Sequence, residues 1–422
     1  MGRILVDSDR SALPSSTPAM LIARIQIISQ DSEDGSLAMA PANADSLILL
    51  DNSGSMSGEK LEEAKEAALE FLKQLRPGDR LSIVTFSDTV RVRFQKVSKY
   101  EKEIEQAIKE INSEGGTNMY SALSESLKAL EALGIDSNIQ YSRQLLLLTD
   151  GQSTDGSEKE FIEIALQFQK KGIPIYFLGI GFDYNEDLLL KMYHANEIGF
   201  FKHINNASEI SSLFNNISKQ TVLYPSRNLQ VKLAPGTNLV KIYKLEPQIT
   251  PLTFERNDNN EYLVPIGNVG KEKQKILAKI ELPERNATET KEFREAIFSV
   301  DMGVKVSTPL LIKRTNDLNV IKGSRNDAVR LEFDEAETSF LATIAMNKND
   351  KESAKAIETI KRTIETIKSN PSMTEKFGKD KIKKLEGALD ISTGTVKVSS
   401  KELKEEKDSF TRRASVKNEV KK

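Results

Sequence analysis

The chain has 422 residues, enough for two or three domains. Sixty lysines and arginines nearly balance 62 aspartates and glutamates, a net charge of −2, so no chain-wide field for nucleic acid or membrane surfaces arises. Cysteine is absent, which excludes disulfides, thiolate metal sites and cysteine nucleophiles and fits a reducing compartment.

At the N-terminus, Met1-Gly-Arg-Ile-Leu-Val-Asp7 lacks the length and the small-residue cleavage site of a signal peptide. Val6 stands where a myristoylation signal needs Ser or Thr. No apolar stretch approaches the roughly 18 residues of a membrane span. A cytoplasmic protein without membrane or nucleic-acid partners is expected, and the sequons at Asn206, Asn216 and Asn286 carry little weight. Ile22, Ile25 and Ile27 mark a β-rich segment within residues 1–43, followed by a polar stretch from Gln30 to Asn43.

The next segment, residues 44–220, alternates short apolar runs with helical spacing. Leu47–Leu50, Leu145–Leu148 and Ile173–Ile180 read as parallel strands covered on both faces. Leu61, Ala64, Ala68, Phe71 and Leu75 form one apolar stripe between them. Tyr120, Leu123, Leu127 and Leu130 form a second, and Phe161, Ile164 and Phe168 a third. This pattern predicts a doubly wound α/β sheet. In strand order 3-2-1-4-5-6, ligands bind beyond the carboxyl ends of strands 1 and 4, where the order reverses.

Three motifs fall at that place. Asp51-Asn-Ser53-Gly-Ser55-Met56-Ser57-Gly58 ends the first strand with one carboxylate and two hydroxyls at alternate positions. Gly115-Gly-Thr117-Asn118 opens a helix with a threonine. Leu145-Leu-Leu-Leu-Thr149-Asp150-Gly151 ends the fourth strand with an aspartate. Hard oxygens of this kind suit Mg²⁺, which takes six at about 2.0–2.1 Å and usually keeps water or borrows a ligand oxygen. Two carboxylates and three hydroxyls do not saturate it, so an acidic side chain of a partner could complete the shell.

Other readings of these residues fare worse. Asp51 to Glu62 has the length of an EF-hand loop, but Met56 stands where that loop needs glycine, and a strand precedes it. Ser57 could cap the following helix, which would leave Ser53, Ser55, Thr117 and Asp150 unexplained.

Asp51, Ser53, Ser55, Thr117 and Asp150, in this order, resemble the metal-ion-dependent adhesion site of von Willebrand factor A domains, a Rossmann-like fold. The resemblance implies that Ser53, Ser55 and Thr117 contact Mg²⁺ (or Mn²⁺ or Ca²⁺), with Asp51 and Asp150 holding it directly or through water. It further implies a protein partner that presents an Asp or Glu to the metal. The layout of the whole chain resembles soluble microbial proteins that carry such a domain, which implies a scaffold or adaptor. Some relatives are linked to kinases, phosphatases or AAA-type ATPases.

Beyond the domain, residues 221–315 are β-rich. Strands are predicted at Leu229–Leu233, Leu239–Tyr243, Tyr262–Ile266, Lys275–Glu281, Glu295–Val300 and Leu310–Lys313, with Pro- or Gly-containing turns between them. A small β-sandwich is expected, with Met20–Ile28 as its missing strand, so that the metal-site domain is an insertion. Residues 326–391 turn helical: Phe333, Glu337, Phe340, Leu341 and Ile344, then Ile357, Ile360, Ile364 and Ile367, then Ile382, Leu385 and Leu389. A helical hairpin or three-helix region is expected. Residues 392–422 are lysine-rich and poor in large apolar side chains, which predicts disorder. Within them Thr411-Arg-Arg-Ala-Ser415-Val resembles a site for kinases that read upstream arginines.

Catalysis finds little to work with, and no enzyme is expected. His194 and His203 are the only histidines, and neither belongs to a motif. Gly54-Ser-Met56-Ser-Gly58 has methionine where a nucleophile elbow needs serine, and Gly54 to Lys60 has the wrong spacing for a phosphate loop. Gly179-Ile-Gly181 lacks the third glycine of a dinucleotide turn. Magnesium-assisted phosphoryl transfer at Asp51 would want a cationic clamp, and no motif fixes a lysine nearby. A purely structural metal is the remaining alternative; it would offer more protein carboxylates.

Overall fold

Apolar residues at β spacing build three N-terminal strands in the computed structural model of the protein: β1 (Arg3–Ser8), β2 (Ala12–Pro14) and β3 (Ala19–Ile28). The structure describes residues 2–29, 42–131, 141–150, 152–181, 184–204, 207–219, 222–246, 248–346 and 351–411. They divide into two compact units, Met1–Asp31 with Asn228–Val264 and Glu272–Lys422, and Ser32–Arg227 with Pro265–Lys271.

The second unit follows the alternation read from the sequence. Its elements are β4 (Asn43–Asp51), α1 (Glu59–Lys73), β5 (Arg80–Phe86), β6 (Val90–Val97), α2 (Lys102–Lys109), α3 (Met119–Glu131), β7 (Tyr141–Thr149), α4 (Glu158–Lys170), β8 (Ile175–Ile180), α5 (Glu186–Ala195), β9 (Phe200–Ile204) and α6 (Ala207–Lys219). The sheet runs β6-β5-β4-β7-β8-β9, parallel except for the edge strand β6. In the domain's own count this is the order 3-2-1-4-5-6. The predicted doubly wound sheet is therefore present, with β4 and β7 at the point where the order reverses.

The unbroken apolar runs have a direct cause. Leu47, Leu49, Leu145 and Leu147 pack against α3, α4 and α5 on one face. Ile48, Leu50, Leu146 and Leu148 pack against α1, α2 and α6 on the other. Side chains alternate across a strand, so a sheet covered on both faces needs apolar residues at every position. Leu75 of the first predicted stripe lies beyond α1, yet still packs against the same core.

The first unit continues with β10 (Val222–Leu233), β11 (Asn238–Lys244), β12 (Thr250–Pro251), β13 (Glu255–Arg256), β14 (Glu261–Gly270), β15 (Gln274–Leu282), β16 (Lys291–Asp301) and β17 (Lys305–Thr315). One sheet has the order β1-β3-β15-β11-β12 and the other β13-β14-β10-β16-β17-β2. Ala19–Ile28 pairs along its length with β15, from Ala19↔Leu282 to Ile27↔Gln274. The N-terminal segment thus supplies strands to sheets built otherwise from residues beyond the α/β domain.

Helices α7 (Leu318–Gly323), α8 (Asp327–Ala345), α9 (Lys351–Lys368), α10 (Pro371–Phe377), α11 (Lys379–Ser392) and α12 (Ser400–Thr411) complete the chain. Phe333 of α8 meets Tyr243 edge to face at 5.5 Å and seats the helix on the first sheet. The expectation of disorder from residue 392 needs correction, because α12 is ordered. Phe410 is buried with Ile360, Ile364 and Leu385, Leu403 packs against them, and the Lys384 ammonium lies 4.3 Å from the Phe410 ring centroid. Lysine-rich composition hides this helix, since Lys404 and Lys407 are themselves buried along their stems. Thr411 ends α12, and Ser415 lies outside the described residues. No helix among the described residues is long and apolar enough to cross a membrane.

Leu49, fully buried on the central strand, tests how far the sheet determines the site. Leu49→Ala should lower stability by about 2–5 kcal/mol, the range for emptying a leucine site in a packed core. Urea denaturation followed by circular dichroism measures it. A loss under 1 kcal/mol would mean that the sheet interior is looser than its packing implies.

Candidate metal centre

Strands β4 and β7 lie side by side and in register up to Leu50↔Leu148, so their carboxyl ends emerge together. Asp51 is the last residue of β4 and Asp150 the first beyond β7, and both are buried. After Asp51 the chain turns sharply. The Ser53 amide donates to Asp51 Oδ1 at 2.9 Å, an Asx-type turn, and Gly54–Met56 forms one 3-10 turn. Met56 points inward and is fully buried in the core beneath α1, which leaves Ser53 and Ser55 on the opposite side. The α1 N-cap is Gly58 at φ +83°, with no side-chain cap. The Ser57 cap reading therefore fails; only glycine takes this backbone conformation cheaply.

Hydrogen bonds join four of the five candidate residues. Ser53 Oγ and Ser55 Oγ are 3.0 Å apart, and Ser55 Oγ donates to Asp150 Oδ1 at 2.8 Å. Asp51 Oδ2 accepts from Thr149 Oγ1 at 2.6 Å. The second oxygen of Asp150 forms an ion pair with the Lys60 ammonium.

Thr117 arrives on a neighbouring loop. The Gly54 amide donates to the Gly115 carbonyl at 3.1 Å and the Glu114 amide to the Asn52 carbonyl at 2.8 Å, which fastens the two loops together. Gly115 sits at φ +62° with the Asp88 carboxylate where a Cβ would stand, so glycine is required there. Asp88 Oδ1 accepts from the Gly116 amide at 2.8 Å, and its carbonyl accepts from Asn118 Nδ2 at 2.7 Å. Thr117 itself is buried. Its amide donates to Thr154 Oγ1 at 3.2 Å and its carbonyl accepts from Ser153 Oγ at 3.1 Å.

Asn118 is occupied with Asp88 and Thr154, so α3 takes its cap from elsewhere. Asp155, on the loop after β7, accepts from the Tyr120 and Ser121 amides at 2.9 Å each. Burial alone would raise its pKa, but hydrogen bonds from Ser121, Tyr120 and Ser153 outweigh it and hold the carboxyl below its ordinary value. One aspartate thereby ties the loop carrying Asp150 to the helix that follows Thr117.

The electrostatics favour a cation. Burial raises the Asp51 pKa, hydrogen bonds from Ser53 and Thr149 oppose it, and the charge of Asp150 raises it further. Two carboxylates face a single ammonium here, which leaves one negative charge uncompensated. Hard carboxylate and hydroxyl oxygens in a net-negative cluster whose aspartates are buried and whose Ser55 is exposed fit a divalent cation of the Mg²⁺ type. Asp51, Ser53, Ser55 and Asp150 are the residues that would hold it, with Thr117 from the adjoining loop. Among the described residues, no metal-binding group of three or more His, Asp or Glu side chains occurs.

Sequence reasoning missed Lys60, Thr149, Asp88, Thr154 and Asp155. No motif fixes a lysine near the site, yet Lys60 stands there; its position in the first turn of α1, soon after the Ser-rich loop, is the available signal. The histidines lie elsewhere. His194 is exposed in the last turn of α5, and His203 is buried on β9, its Nδ1 3.0 Å from Tyr184 Oη.

Residues 45–216 match the von Willebrand factor type A domain. An uncharacterized protein of Synechocystis sp. is 26% identical over 236 residues, 54% of this chain and 55% of its own length. Inter-alpha-trypsin inhibitor heavy chain H2 of Mus musculus is 32% identical over 207 residues, 45% of this chain and 22% of its own. The chain thus spans only about half or less of these curated relatives. Among solved structures, a von Willebrand factor type A protein from Catenulispora acidiphila superposes with TM-score 0.77 at 17% identity, covering 97% of this chain and 96% of that one. The ArnB paralog VWA2 from Sulfolobus acidocaldarius gives TM-score 0.59 at 17% identity, over 97% and 98%. These two share the fold across nearly the whole chain.

Asp155→Ala should uncap α3 at a cost of about 0.5–2 kcal/mol. The sign of its pH dependence follows from the depressed pKa. The Asp155 contribution is complete above the ordinary carboxylate value of about 3.9 and is lost as pH falls through the lower folded value. Thermal melts from pH 7 to pH 2 should show the gap between wild type and Asp155→Ala shrinking toward the acid end. A gap that widens there would contradict this assignment.

Proposed function

We propose that the von Willebrand factor type A domain of this protein is a divalent-cation-dependent protein-binding module, in which a bound Mg²⁺ would accept an acidic oxygen from a partner. Asp51, Ser53, Ser55, Thr117 and Asp150 form the site. The observation that carries this reading is the composition of the cluster: two buried carboxylates, the rest hydroxyls, and a net negative charge. Such a set attracts a hard cation yet supplies too few anionic oxygens to saturate it, so affinity for an external carboxylate remains.

The protein's own part is positioning. Thr149 and the Ser53 amide aim the Asp51 carboxylate, and Ser55 aims that of Asp150. Rigid strand ends carry both aspartates, while short loops carry the hydroxyls, an arrangement that suits recognition. A structural metal would draw on more protein carboxylates than stand here. Phosphoryl transfer would gain a cation in Lys60, but that ammonium is already committed to Asp150, and both histidines lie elsewhere. We read the whole chain as a scaffold or adaptor, with the β-rich and helical first unit available for further contacts.

Asp51→Ala should abolish cation and partner binding together while leaving the fold intact, because the side chain lies beyond the sheet's apolar core. An affinity pull-down with wild type and Asp51→Ala, each with Mg²⁺ and with EDTA, decides this. Proteins held only by wild type with Mg²⁺ support metal-bridged binding. Identical sets in all four conditions would refute it.

A further inference from the structure

We infer that Lys60 is a built-in placeholder for the cation: its ammonium occupies the Asp150 carboxylate in the metal-free domain and must be displaced when a divalent cation binds. The inference rests on the proposed function of the site and adds to it a device that sets cation affinity.

Both oxygens of Asp150 are engaged. Oδ1 accepts from Ser55 Oγ, and Oδ2 is paired with Lys60 Nζ. The two contacts respond differently to a cation. A hydroxyl that donates to a carboxylate keeps lone pairs to offer a metal, so Ser55 can stay in place. An ammonium has no lone pair and carries the same sign as the incoming ion, so Lys60 cannot share the oxygen it holds. The charges agree. Two carboxylates and one ammonium sum to −1, two carboxylates and a divalent cation to zero, and all three together to +1 in a buried site, which is the costly state.

Lys60 is built to leave. It belongs to the first turn of α1, with a flexible stem running beside Gly181. Its side chain is 34% exposed, whereas that of Asp150 is 0% exposed. Nζ makes one further contact, a long one of 3.5 Å to the Ser55 carbonyl. A lysine of this kind returns its head to water at little cost, unlike a buried bidentate arginine. While it stays, the cation meets a site open for only a fraction of the time, and its apparent affinity falls by that fraction. When it leaves, a positive charge comes free at the rim where a partner carboxylate would approach.

Calorimetric titration of Mg²⁺ and Mn²⁺ into the full chain tests this with wild type, Lys60→Gln, Lys60→Arg and Asp51→Ala. Lys60→Gln should bind about tenfold tighter or better, Lys60→Arg no tighter than wild type, and Asp51→Ala without saturation. In EDTA, Lys60→Gln should melt below wild type, and saturating Mg²⁺ should close that gap. Saturable wild-type binding that Lys60→Gln leaves unchanged or weakens would overturn the role of Lys60 alone. Absence of saturable wild-type binding at millimolar Mg²⁺ would overturn the metal site and this inference with it. An independent measurement needs no variant: amine labelling of Lys60 in the wild type, read by mass spectrometry, should accelerate when Mg²⁺ saturates the protein. A rate indifferent to Mg²⁺ would refute displacement.

Discussion

Two aspartates held beside each other out of water, at the carboxyl ends of adjacent parallel strands, are the constraint from which the site follows. Burial penalises each charge and their proximity penalises both, so such a pair survives only if the surroundings repay it. Here Thr149, the Ser53 amide and Ser55 supply hydrogen bonds, and Lys60 supplies one positive charge. The debt is only partly met inside the domain. On the function proposed above, the rest would be supplied by an external cation.

The sheet makes the pair unavoidable. The unbroken apolar runs Leu47–Leu50 of β4 and Leu145–Leu148 of β7 take helices on both faces, and the strand order sets the first and fourth strands side by side. Once Leu50 lies opposite Leu148, Asp51 is level with Thr149 and Asp150 follows one residue later at the same end of the sheet. This part was legible in the sequence, because periodicity fixes burial, burial fixes the layers, and the layers fix which strand ends meet. What was not legible depends on loops folding back over long chain distances. Asp155 caps a helix that begins 36 residues before it, and Lys60 answers an aspartate 90 residues away. No local pattern announces either contact.

The first unit shows the same division. Alternation marked most of its strands, and the strand expected at Met20–Ile28 pairs with β15. The ion pair that knits it was invisible. Arg314 and Glu295 are both fully buried, their charged atoms 3.6 Å apart, and Arg314 also donates to the carbonyls of Pro14 and Pro283. Burial pulls the Arg314 pKa down and Glu295 pulls it up, without reversing the direction. Composition misled outright at α12, where lysines count as solvated in any average, although two of them lay their stems against the bundle.

The opposite end of β4 sharpens the argument about function. Asp45 is as buried as Asp51 and belongs to the same strand, and neither of its oxygens has a hydrogen-bond partner. Yet its neighbours across the sheet are Arg80 on one side and Arg143 on the other. Burial raises the Asp45 pKa and outweighs the opposing charges of Arg80 and Arg143, so its carboxyl stays above the ordinary value. Arg80 in turn is stacked 3.6 Å from the centroid of Tyr141, which fixes it in place. One end of the strand therefore sets two arginines across from a single carboxylate, one of them held by stacking. The other end sets two carboxylates against one movable lysine. Burial raises the carboxyl pKa at both ends, but cations outnumber the carboxylate at the first, and carboxylates outnumber the cation at the second.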